Sequence, residues 1–163
     1  MSRRSRGRWY MPLLTIVAAL SLSILPLPAG IASFRPDWVA IVLLYWGLVE
    51  PDRYGLFSAF GIGLVLDALT GTLLGQHSLA LIVIVYLSQR LYLQIRAFPA
   101  SQLAIVVIAL LAIYQFILLW IDGLAGQQQP LVERWGPVLT GGILWLLVSS
   151  GIERGRRTAE SRM

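Results

Sequence analysis

An all-α polytopic membrane protein with six transmembrane helices is the fold this sequence predicts, and three observations predict it. Apolar residues fall in blocks approaching twenty residues, without the strict alternation over ten-residue segments that a membrane barrel requires. Of 163 residues, 57% are hydrophobic and only 13% charged, a balance outside that of an ordinary water-soluble domain. The 13 basic residues, all arginine, sit at the two ends and between the apolar blocks. The expected organisation is one six-helix membrane domain over residues 1–163, with spans near 9–28, 36–50, 55–74, 77–95, 101–121 and 136–152.

The net charge of +5 raises nucleic acid as a partner, but no basic face with interleaved aromatics occurs, so nucleic-acid binding is set aside. Arginines beside apolar runs instead orient helices and meet anionic lipid headgroups. With no cysteine and one histidine, the chain lacks the parts of a disulfide, a thiol enzyme or a metal site, and neither metal nor cofactor is expected.

The first span follows Arg3, Arg4, Arg6 and Arg8 and runs to about Pro28. A basic head followed by an apolar run also fits a secretory signal peptide, yet Met11 to Leu27 is long for one, so an uncleaved helix is expected. The second opens at Pro36, with Asp37 placed to complement the helix dipole and Trp38 after it. From Pro36 to Val49 a helix rises only about 21 Å against a hydrocarbon core of about 30 Å. A crossing there needs a thinner bilayer, burial among neighbours or a longer start, and the alternative is a helical hairpin that dips in and out with the following span.

The third span, after the polar turn at 50–54, carries Asp67 near its middle. An acid at membrane depth costs about 2.5–3.5 kcal/mol on insertion scales and normally faces protein or water. Ala59, Gly63, Asp67, Gly71 and Gly75 recur every four residues, a small-residue face that admits a close neighbour and turns Asp67 inward. Two readings of Asp67 stand: a packing acid hydrogen-bonded to a neighbouring helix, or a group that binds a ligand or partner. Under the first, Asp67→Asn keeps much of the hydrogen bonding and Asp67→Leu loses it.

Gln76 and His77 make a nearly uncharged turn, and His77 has no carboxylate or second imidazole at ligand spacing. The fourth span continues through Arg90 to Arg96, where arginine stems snorkel, and Pro99 ends it. The fifth span ends before the longest polar stretch, Asp122 to Gly136, read as a surface loop bracketed by Trp120 and Trp135. Gly141 and Gly142 interrupt the sixth. Six spans put both termini on one side, and counting the loops at Arg53 and Arg90–Arg96 with them leaves only Arg35 and Arg134 opposite, which makes that side cytoplasmic. The polar groups available to an intramembrane pocket are Asp67, Tyr45, Tyr86, Tyr114 and Gln115. No nucleotide-binding, zinc-protease or nucleophile-elbow motif occurs, so no enzyme activity is expected.

Two stretches carry a resemblance to a known family: RPDW at 35–38 with the run to Trp46, and GIGLVLDALTGTLLGQHSLA at 61–80. They resemble MreD, the rod shape-determining membrane protein of bacteria. Pro36, Asp37, Trp38, Asp67, Gly71 and Gly75 occupy motif positions. The resemblance implies a non-catalytic inner-membrane component of the cell-wall elongation complex. Its implied partners are MreC, the actin-like MreB, and RodA with its transpeptidase. It also implies a fold similar to the six-helix substrate-binding subunits of energy-coupling-factor transporters, with a central pocket. A solute-binding transporter subunit is accordingly the second functional class in view.

Overall fold

The computed structural model describes residues 10–49, 54–95, 100–126, 130 and 134–146, and those residues form helices joined by short connections, with no strand among them. The elements are α1 (Tyr10–Ile24), α2 (Ala29–Ala32), α3 (Trp38–Val49), α4 (Leu56–Thr70), α5 (Gln76–Ile95), α6 (Ala100–Leu124) and α7 (residues 134–146). Each apolar block of the sequence thus supplies one main helix. The one-turn α2 falls just beyond the expected end of the first span near Pro28, where the sequence predicts no helix. The arginine-rich ends, the 50–53 turn, Arg96, Pro99 and the glutamines at 127–129 lie outside the described residues.

Burial follows helical periodicity. On α5, Ala80, Leu81, Ile84, Val85 and Ser88 are buried, a spacing that puts them along one face. That helix packs against α4, α6 and α3, while α1 lies mainly on α3. Ala40, Leu43, Leu44, Val107, Leu111 and Tyr114 complete the core between them. The opposite faces are apolar as well: Ile105, Phe116 and Trp120 stand exposed on α6, and Phe57 is 95% exposed on α4. A helix apolar on both faces belongs in a large core or in lipid.

Within α6, residues Gln102–Leu124 are long and apolar enough to cross a membrane, with mean hydropathy 2.7; α1, α3 and α4 are shorter apolar helices. α3 has no polar face, and its few polar groups tie it to neighbours, as where the Trp46 indole donates to the Thr15 hydroxyl at 2.8 Å.

Small residues sit where helices approach most closely. A Cβ on Gly142 would lie 2.5 Å from Cγ1 and 2.7 Å from Cδ1 of Ile108, both side-chain atoms. Gly142→Ala is therefore expected to destabilise the protein by about 1–3 kcal/mol, as overpacking does, and Ile108→Ala is expected to relieve most of that clash. Thermal unfolding of the two single variants and the double in detergent measures it; a double variant no better than the sum of the singles would refute the contact.

Candidate functional site

Polar residues gather at one end of the bundle, where α1, α4 and α6 finish and α3, α5 and α7 begin. Asp67 is the centre of the first group. It lies in the last turn of α4, fully buried, rather than near the middle of a span reaching residue 74. The helix stops at Thr70 because Gly71 takes a left-handed conformation (φ 69°) whose N–H caps the Asp67 carbonyl. Gly75 is left-handed too, at φ 98°. The predicted stripe of small residues is thereby corrected. Ala59, Gly63 and Asp67 share a buried helical face, whereas Gly71 and Gly75 serve the turn that follows.

That turn folds back onto the carboxylate. Oδ2 of Asp67 accepts the Gly75 N–H at 2.8 Å and the Ser78 hydroxyl at 3.4 Å. Oδ1 accepts the His77 N–H at 2.9 Å and the Thr72 hydroxyl at 3.1 Å, and lies 2.7 Å from His77 Nδ1. A carboxylate acceptor fixes the proton on Nδ1 and leaves Nε2 as the acceptor of the neutral ring. An anion thus sits on the first N–H groups of α5, where the helix dipole favours it. The sequence reading found no carboxylate for His77; the fold brings Asp67 to it across ten residues.

Gly63 permits the close crossing beside this cluster. A Cβ there would meet the Ser78 Cα and stand 2.7 Å from the Ser78 backbone nitrogen. Four features of the 61–80 stretch, Gly63, Asp67, Gly71 and Gly75, therefore build one object, the α4–α5 hairpin.

A second group lies next to it. Asp122, expected in a surface loop, is 3% exposed at the end of α6 and pairs with Arg134, also 3% exposed, at the start of α7. The other Asp122 oxygen accepts Gln76 Nε2 at 2.6 Å. Asp37 precedes α3, and its Oδ2 accepts Gln115 Nε2 at 2.6 Å. Arg35 reaches back to the Leu22 carbonyl, and its partial burial lowers its pKa from the ordinary arginine value. These side chains, with Pro36, His77 and Tyr114, surround a cavity of about 350 Å³. Of the pocket groups expected from sequence, Tyr114 and Gln115 line it and Asp67 stands behind His77. Tyr45 packs edge-on against Trp46 and Trp145, and Tyr86 is half exposed, both away from it. Trp38 packs against the core. Arg134, Asp122 and Gln76 were missed. Among the described residues no group of His, Asp and Glu is arranged to hold a metal ion.

An all-helical bundle with apolar outer faces and its polar groups collected at one end defines a helical membrane protein. A family model described as rod shape-determining protein MreD matches residues 3–150, and the chain belongs to that family. A rod shape-determining protein MreD from Haemophilus influenzae is 34% identical over 96 residues, 59% of this chain. The match covers 59% of that relative's length. No solved structure matches, so the expected likeness to energy-coupling-factor subunits is unsupported.

Proposed function

We propose that this protein is a non-catalytic, six-span inner-membrane component of the machinery that elongates the cell wall, binding MreC and helping to organise lateral peptidoglycan synthesis with MreB and RodA and its transpeptidase. The family match over residues 3–150 carries this reading. The use of the 61–80 residues supports it, because Gly63, Asp67, Gly71 and Gly75 hold the α4–α5 hairpin in shape. In the six-span arrangement α6 crosses alone, while α1, α3 and α4 cross where the bilayer thins around the bundle. The eleven arginines of the tails and of the segments at Arg53 and Arg90–Arg96 set both termini in the cytoplasm, so the polar end of the bundle faces outward.

Depletion of the protein in its host, with cell shape followed by microscopy, tests the proposal. Rods are expected to round and lyse, and wild type but not Asp67→Leu to restore them. Co-purification of MreC with wild type and its loss with Asp67→Leu is the expected companion result. Unchanged rods after depletion would overturn the assignment and favour a solute-binding subunit instead.

A further inference from the structure

We infer that the cavity at the polar end binds a compact zwitterion, an ammonium group and an oxyanion on one small skeleton, with Asp37 taking the cation and Arg134 and Arg35 the anion. This goes beyond the assembly role and does not depend on it. The cavity, about 350 Å³, has the size of a small-molecule site. Its lining has hydrogen-bonding capacity left over on both signs of charge. Arg134 is almost wholly buried, and its Nε is a buried donor with no partner among the described residues; the same holds for Nε of Arg35. Asp37 is engaged by Gln115 through one oxygen, and no described residue donates to the other.

Asp122 does not fill these needs, because both its oxygens are taken, by Gln76 and by Arg134. A plain anion would satisfy the guanidinium groups and sit against the Asp37 carboxylate. A plain cation would do the reverse. Only a ligand carrying both charges meets all three groups, and guanidinium N–H groups suit a carboxylate or a phosphate equally. The same chemistry comes from two sources, the headgroup of phosphatidylethanolamine or a free small zwitterion, and the test separates them.

The full-length protein in detergent is titrated with O-phosphoethanolamine and glycine, and with the half-ligands phosphate, acetate and ethylamine at matched ionic strength, following thermal unfolding. The zwitterions are expected to raise Tm with saturation and the half-ligands to leave it in place. Stabilisation by phosphate or acetate alone to the same extent, or by none of the probes, would overturn the proposal, the last result meaning that water fills the cavity. Asp37→Asn, which keeps an oxygen for Gln115, is expected to weaken O-phosphoethanolamine binding about tenfold or more. The same change removes the carboxylate that opposes a plain anion, so phosphate, which leaves the wild-type Tm in place, is expected to raise that of the variant, the opposite sign from a merely structural defect. Equal binding of O-phosphoethanolamine by wild type and Asp37→Asn overturns it. If that variant fails to fold, the half-ligand comparison on wild type still decides. Loss of O-phosphoethanolamine binding in phosphatidylethanolamine nanodiscs, but not in phosphatidylcholine ones, assigns the lipid as source; binding retained in both assigns the free zwitterion.

Discussion

Asp67→Leu is expected to cost about 3 kcal/mol or more. The carboxylate accepts the Gly75 and His77 N–H groups on separate oxygens, and an isobutyl group leaves both partly buried donors unpaired, at about 1–3 kcal/mol each. The His77 ring and the Thr72 hydroxyl lose their acceptor as well. Asp67→Asn is not the mild change that composition alone suggests. An amide has one oxygen, so it can serve one of the two N–H groups, while its own N–H2 faces the other. An intermediate loss of about 1–2 kcal/mol is expected. Unfolding in detergent and steady-state abundance in the membrane measure both, and Asn as stable as wild type would show that the two N–H groups do not share the carboxylate.

The second large effect is expected at Gly63. Its Cβ would strike the Ser78 backbone rather than a movable side chain, so α4 and α5 have to separate along their contact. Gly63→Ala is expected to destabilise by about 1–3 kcal/mol, and Ser78→Ala is expected not to rescue it. Gly61→Ala on the same helix, with open space around its Cβ, is expected to be neutral or slightly stabilising, through better helix propensity. Equal effects at 61 and 63 would mean that propensity and not packing decides. The contrast with Gly142 is instructive: there the obstacle is the end of Ile108, and a second substitution can remove it.

The helices themselves were legible in the sequence because apolar blocks ended by Pro, Gly and charge carry that information locally. Asp67 was legible as unusual for the same reason, as an acid within such a block. Its partners were not, since they lie five to eleven residues on, across a turn, where helical spacing says nothing. Period-four glycines read as a helix face, although two of the five positions hold left-handed turn conformations. Asp122 and Arg134 were hidden by their setting in a polar stretch, yet a clue existed. Arg35 and Arg134 were the two arginines on the wrong side of an otherwise one-sided distribution. Both turn inward to the cavity, so exceptions to a topology rule marked the groups that the fold keeps for itself.

The compactness of the Asp67 cluster bears on how the chain enters the bilayer. Every group that satisfies this acid comes from residues 72–78, so α4 and α5 can leave the insertion machinery as a closed hairpin with no bare charge presented to hydrocarbon. The second polar group has no such independence. Asp122 waits for Arg134, twelve residues later, and Asp37 waits for Gln115, seventy-eight residues later. Biogenesis is therefore expected to divide in two: a hairpin whose buried acid is satisfied early, and a polar end sealed only when the last helices arrive.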